Sequence, residues 1–247
     1  MKAARRAYHV MAGLLSWAVF TGVGLLLNLV CAPLLLFPGR RRLGGAVRRI
    51  ISSLFGAWCR WLHATRLIYV TWRGFTAEAL AGPAIYISNH PGLLDATFIL
   101  ARLPDAICIF KPTLIRNPAI GPAAIMAGYA AGTSGIDLIR DVAERVASGR
   151  SLLIFPEGRR TPTGALLGPL KPGFALIARR ANAPVRMIAV RSPRDLFPRG
   201  RTWWNIPPLP ARIEVILLGE LPLDDGAHTA ELTARAAQQL SAAIAPP

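Results

Sequence analysis

The chain has 247 residues, enough to bury a full core without disulfides or metals. Hydrophobic residues make up 53%, charged ones 17%, and mean hydropathy is +0.39, which excludes a disordered chain and argues against an ordinary cytosolic one. The net charge of +16 calls for an anionic partner: nucleic acid, an anionic membrane or phosphorylated substrates.

The charge is uneven. Residues 1–80 hold eleven basic residues and one acid, Glu78, whereas the remaining 167 hold 18 basic and 12 acidic ones. Val10 to Phe37, 28 residues, carry no charge. As a helix they would span about 42 Å, against about 30 Å of bilayer hydrocarbon. Ser16, Thr21 and Asn28 interrupt the run mildly, and Pro33 is expected to end or kink it. Lys2, Arg5 and Arg6 precede it, and Arg40, Arg41 and Arg42 follow. The apolar core is longer than the roughly 7–15 residues of a signal peptide, and Val30 before Cys31 argues against lipoprotein cleavage. A core helix of a soluble protein is the other alternative; the reading adopted is a membrane-embedded helix. Residues 46–73 mix Arg with Trp, and Ile51, Leu54, Phe55, Trp58 and Leu62 share a helical spacing. This predicts an interfacial amphipathic helix, or one packed on the core, making a membrane-embedded helical unit of residues 1–72. Five Arg between 40 and 49 outweigh the three basic residues before the apolar run, which places the second domain, residues 73–247, on the cytoplasmic side.

From residue 83 onward, apolar runs bounded by Gly or Pro predict strands at Ala84–Ser88, Ala106–Phe110, Ser151–Phe155, Val185–Val190 and Arg212–Gly219. Helices are expected at Leu93–Arg102, Ile136–Ser148, Gly173–Ala181 and Thr229–Ile244. This alternation argues for an α/β domain with a mixed, largely parallel sheet flanked by helices. Residues 192–210, rich in Pro and Arg with Trp203 and Trp204, read as a loop, either touching lipid headgroups or simply on the surface. Cys31, Cys59 and Cys108 have no framework or zinc spacing, so no metal site is expected.

Three places carry chemistry. Ser88-Asn89-His90-Pro91-Gly92-Leu93-Leu94-Asp95 lies between a strand and a helix, where α/β sheets place active sites. His90 suits a general base near neutral pH, and Asp95 in the following turn can fold back to fix its tautomer. Phe155-Pro156-Glu157-Gly158-Arg159-Arg160-Thr161 follows another strand. There Gly158 allows close backbone approach, Arg159 and Arg160 can hold phosphate, and Glu157 can orient an Arg or a substrate hydroxyl. Lys111 ends a third strand and adds a cation to the same anion pocket.

These residues resemble the lysophosphatidic acid acyltransferases, the PlsC-like group of glycerolipid acyltransferases. Asn89, His90 and Asp95 match the family's N-H-x4-D block, and Phe155 to Arg160 its F-P-E-G-x-R block, with Arg160 as the Arg. Lys111, Leu114, Pro118 and Gly121, then Pro184-Val185 and Met187–Val190, give weaker matches in the same order, so the resemblance spans roughly residues 60–220. It implies the PlsC-like fold and acyl transfer from acyl-CoA or acyl carrier protein to a lysophospholipid hydroxyl, above all 1-acyl-sn-glycerol 3-phosphate. His90 and Asp95 would be catalytic. Asn89, Lys111, Glu157, Gly158 and Arg160 would bind substrate, the acyl chain would enter from the bilayer, and no cofactor would be needed. One departure stands out: many members carry G-x-x-F-I-x-R, but here Gly128 to Arg140 reads GYAAGTSGIDLIR, with Arg140 out of register. The acceptor could therefore be another lysolipid or a specialised-metabolite alcohol. A serine hydrolase lacks its G-x-S-x-G elbow at Gly132-Thr133-Ser134-Gly135. A membrane scaffold would not need His90, and no interleaving of aromatic and basic residues supports nucleic-acid binding.

Overall fold

The computed structural model describes residues 2–118, 120–132, 135–162, 164–193, 196, 209–223 and 228–245. Helix α1 (Lys2–Leu34) ends one residue after Pro33, whose missing N–H cannot continue the ladder. A 3-10 turn (Arg40–Leu43) leads into α2 (Gly44–Ala64). β1 (Ile68–Arg73) and β2 (Ile85–Ser88) precede α3 (Asp95–Leu100), and β3 (Ala106–Phe110) precedes the short α4 (Pro112–Ile115) and α5 (Gly121–Met126). After β4 (Ala130–Ala131) come α6 (Ile136–Ala147), β5 (Ser151–Ile154), α7 (Gly173–Ala181), β6 (Val185–Arg191), β7 (Ala211–Leu221) and α8 (Thr229–Ile244).

The seven strands form one sheet in the order β1-β7-β6-β2-β5-β3-β4. All neighbours run parallel except β6 and β7. β2 is buried along its whole length, so it reads as an apolar run rather than an alternation. In β7, exposed and buried positions alternate over its first half. β7 accommodates one extra residue opposite the step from Met187 to Ile188, where Gly219 takes a φ of +108°. The strands that follow a common direction, β2, β3, β5 and β6, end at one edge, and the turns carrying His90, Lys111 and Glu157 all leave from it.

Two expectations change. The stretch 46–73 is not one helix: α2 stops at Ala64 and β1 follows, pairing with β7, so an integral strand of the sheet crosses the expected boundary at 72/73. β1 reads Ile-Tyr-Val-Thr-Trp-Arg, a β-branched and aromatic alternation that the Trp- and Arg-rich helix before it obscures. The apolar stripe of α2 faces protein rather than an interface. Val47, Ile51, Trp58, Cys59 and Leu62 are buried in the core, and Trp72 of β1 donates to the Phe98 carbonyl of neighbouring α3 at 2.9 Å. The helix before β3 is also shorter than expected, because Leu93 and Leu94 belong to the turn before Asp95. The Trp203–Trp204 pair lies outside the described residues.

α1 is long and apolar enough to cross a membrane by length and composition. Ser16, Asn28 and Cys31 turn into the protein, while Met11, Leu15, Leu26, Leu29 and Val30 face outward.

Candidate active site

β2 delivers its chain into a turn fixed from both sides. Asn89, fully buried, donates from Nδ2 to the Val190 carbonyl and accepts the Val190 N–H at Oδ1, both at 2.8 Å. This two-point clamp extends the β2–β6 ladder by one side chain. Both polar atoms of the expected substrate ligand Asn89 are thus engaged by the backbone of β6, which braces the turn.

The next residue, His90, presents its imidazole about one-fifth exposed and stacked on Phe155 at 4.1 Å. The chain then turns at Gly92 and starts α3 at Asp95, so the carboxylate folds back on the ring. Asp95 Oδ2 accepts the His90 Nδ1–H at 2.9 Å and the Gly92 N–H at 2.7 Å. A Cβ on Gly92 would sit 3.2 Å from Asp95 Oδ1, so a side chain there would press on the carboxylate. Burial pushes the Asp95 carboxyl above the ordinary carboxylate range, while the bonds from His90 and Gly92 and the charge of Arg160 pull it back. With Nδ1 committed to the carboxylate, Nε2 is the nitrogen left to take a proton.

Glu157 leaves the end of β5 and is buried. Its Oε1 accepts the His90 backbone N–H at 2.8 Å and the Thr161 hydroxyl at 2.9 Å, and its Oε2 accepts the Gly168 N–H at 2.8 Å. The Thr161 N–H in turn reaches the His90 carbonyl at 2.8 Å. Three donors thus satisfy a buried carboxylate, and both backbone groups of His90 are held. Both oxygens of Glu157 are engaged by the protein, its negative charge would repel a phosphate, and its contacts hold the His90 turn.

The remaining expected ligands are placed where an anion can meet them. Gly158 is exposed with a φ of +67°, a conformation that favours glycine. Arg160 is half-buried and close enough for its charge to act on Asp95. Lys111 is exposed at the end of β3, ahead of α4. Arg159 is exposed, and Arg140 lies exposed on α6. Burial pushes the Cys59 and Cys108 thiols up to about 12, so neither supplies a thiolate near neutral pH.

Three residues were missed by sequence reasoning. Thr161 and Gly168 complete the Glu157 clamp. Lys171 bonds the Pro156 carbonyl through its backbone N–H at 2.9 Å, and its Nζ lies 3.3 Å from where a Gly158 Cβ would stand. Thr161 adjoins the recognised motif, which was a usable signal. Gly168 and Lys171 join the site only through the fold of the loop after it.

Fold and site together define an α/β protein that presents a carboxylate-oriented histidine beside basic groups at the edge of a mostly parallel sheet. A sequence model described as Acyltransferase matches residues 70–191, the span that holds His90, Asp95, Lys111, Glu157, Arg160 and Lys171, so this part of the chain is an acyltransferase-family domain. Among its relatives, a 1-acyl-sn-glycerol-3-phosphate acyltransferase of Cocos nucifera is 37% identical over 41% of this chain and 35% of its own length. One of Limnanthes alba with the same description is 31% identical over 64% of this chain and 56% of its own length. The chain thus spans between about a third and somewhat over half of these relatives. The crystal structure of the 1-acyl-sn-glycerophosphate acyltransferase PlsC from Thermotoga maritima superposes with a TM-score of 0.72, covering 99% of this chain and 96% of that one at 18% identity, which establishes a shared fold.

Proposed function

We propose that the chain transfers a fatty acyl group from an acyl thioester, acyl-CoA or acyl carrier protein, to a lysophospholipid hydroxyl, with 1-acyl-sn-glycerol 3-phosphate as acceptor and phosphatidate as product. The observation that carries this reading is the His90 Nδ1–Asp95 Oδ2 pair at the sheet edge with Arg160 beside it. The activity for which the relatives are named supports the choice of acceptor.

His90 Nε2 takes the proton of the acceptor hydroxyl as its oxygen attacks the thioester carbonyl carbon. Asp95 stabilises the imidazolium that forms. Collapse of the tetrahedral intermediate breaks the C–S bond, and the imidazolium returns the proton to the departing thiolate. No acyl-enzyme is required. Lys111, Arg160 and the backbone at Gly158 would take the acceptor's phosphate, with charge-assisted bonds that a neutral lysolipid cannot make. The outward apolar face of α1, with Leu36, Phe37 and Arg40 to Arg42 beside it, would meet an anionic bilayer that supplies the acceptor, with the catalytic part on the cytoplasmic side.

The test is acyl transfer by detergent-purified protein from labelled acyl-CoA and acyl carrier protein, offered lysophosphatidate, uncharged lysolipids and simple alcohols, with the His90→Ala protein as blank. His90-dependent transfer to lysophosphatidate supports the full reading. Transfer only to other acceptors would keep the chemistry and discard the phosphate assignment. No transfer to anything would overturn both.

A further inference from the structure

A cavity of about 750 Å³ lies on the side of the catalytic turn away from Lys111, between the loop after Glu157 and the β6–β7–β1 side of the sheet. Its near wall is Asn89, Pro91 and Thr161, the residues that flank and hold His90. Its far wall carries Arg191, Arg212 and Glu214. Glu214 is the one acid among the described lining residues, and it is already shared: Oε1 pairs with Arg73 Nε at 2.7 Å and Oε2 with an Arg191 terminal nitrogen at 3.0 Å. Arg212 lies two residues from Glu214 on the same, outer face of β7, is exposed, and has no carboxylate partner among the described residues. Arg191 and Arg212 against Glu214 leave a surplus of one positive charge among the described lining residues. Leu166 and Ile244 are among the apolar residues that line the rest of the cavity. Its volume is in the range that encloses an extended organic ligand.

The chamber is thus an anion-binding end joined by an apolar passage to the histidine turn, and it is separate from the Lys111–Gly158–Arg160 side. We infer that it holds the 4′-phosphopantetheine arm of the thioester donor. The arm's phosphate meets Arg212 and Arg191, the pantetheine lies along the apolar side, and the thioester is presented at the His90 turn. The inference rests on the proposed acyl transfer and divides the site: acceptor phosphate on the β5–β3 side, donor carrier on the β6–β7 side. Coenzyme A and acyl carrier protein share this arm, so the chemistry is common to both sources.

The test uses Arg212→Ala and, as the conservative variant, Arg212→Lys in the full chain. Binding of CoA, 4′-phosphopantetheine and holo-acyl carrier protein is measured by calorimetry alongside steady-state KM for donor and acceptor. We expect Arg212→Ala to weaken 4′-phosphopantetheine binding and raise the donor KM roughly tenfold to hundredfold, with the acceptor KM and thermal midpoint unchanged and partial rescue by Arg212→Lys. A loss for CoA alone, sparing 4′-phosphopantetheine and holo-carrier protein, would place the nucleotide rather than the arm at Arg212 and overturn the assignment. A rise in acceptor KM instead, or no change in either, would also overturn it. Because binding is read directly, Arg212-dependent capture of 4′-phosphopantetheine without transfer to any acceptor would leave this inference standing and remove the proposed function. Transfer indifferent to Arg212 would do the reverse.

Discussion

Replacing Asp95 with asparagine separates what the carboxylate does for the reaction from what its burial does to the fold. The side chain is 2% exposed, and its Oδ2 receives both Gly92 N–H and His90 Nδ1–H. An asparagine of the same shape can set only one atom at that shared point. Its carbonyl oxygen would keep both bonds but bring no negative charge to the imidazolium that forms, and its NH2 would face the Gly92 N–H and force His90 Nδ1 to accept, which moves the ring proton to Nε2 and removes the base. The same exchange in a serine protease triad lowers turnover about 10⁴-fold, which is roughly 5.4 kcal/mol at 1.36 kcal/mol per decade. We expect a fall of at least about 10³-fold here. Stability should move the other way. Burial raises the Asp95 carboxyl pKa in the folded state, so the native protein binds this proton more tightly than the unfolded chain. The folded state therefore loses stability as pH rises from about 4, the unfolded carboxyl value, up through the raised native value. The amide carries no such penalty. Single-turnover acyl transfer, with urea unfolding in detergent at pH 4, 5.5 and 7.5, reads both effects. The Asp95→Asn protein should be inactive, at least as stable at pH 7.5, and free of part of the wild-type fall in stability with pH. A rate within tenfold of wild type, or an unchanged pH slope with a less stable protein, would refute the reasoning.

Glu157→Gln should lower kcat roughly tenfold to hundredfold, the loss of a charge-assisted bond to the His90 amide, and leave the acceptor KM nearly unchanged; a KM effect alone in steady-state kinetics would return Glu157 to the substrate. Asn89→Asp puts a carboxylate oxygen against the Val190 carbonyl, so urea unfolding should show a loss of about 1–3 kcal/mol, and wild-type stability would dissolve the clamp. Arg160→Ala should raise the acceptor KM more than the donor KM when both are measured, whereas an equal rise would withdraw its phosphate role.

The strands and helices that bear the site were legible because each is a short apolar run or a helical period closed by Gly or Pro. The bounds of β3, α7 and α8 agree with the expectation to the residue. β1 was not, since six residues of strand pattern follow directly on an amphipathic helix of similar composition. The pairing of His90 with Asp95 was legible for a local reason: four intervening residues make one turn into α3. The roles of Asn89 and Glu157 were not, because their partners are remote. A buried amide meets Val190, 101 positions away, and a carboxylate meets His90, 67 positions away. Residue type admits either a ligand or a brace, and only the long-range contact decides.

The N-terminal helix illustrates the same logic on a larger scale. Its polar residues looked like mild flaws in an apolar run, yet two of the three are its attachments to the rest of the fold. The Trp61 indole N–H of α2 donates to Ser16 Oγ at 2.8 Å, and Asn28 Oδ1 accepts the Ala123 N–H of α5 at 2.9 Å. Near the start of the helix the Tyr8 hydroxyl reaches the Thr65 carbonyl at 2.9 Å. Phe20 packs between Trp17 and Trp58 at 5.9 and 4.6 Å. α1 is therefore fastened at three levels along about 30 Å of its axis, with Ser16 and Asn28 satisfied inside the protein as a lipid-facing helix requires. A tether that left the domain to cross a bilayer alone could make none of these contacts at its far end. If a bilayer takes the outward face of α1, it must lie along the flank of the domain. α5, fastened to α1 at Asn28, stands a few residues beyond Lys111 in the chain. A lysolipid arriving from that surface would meet the Lys111 side of His90 first, which leaves the opposite side, with Arg191 and Arg212, for a donor arriving from water.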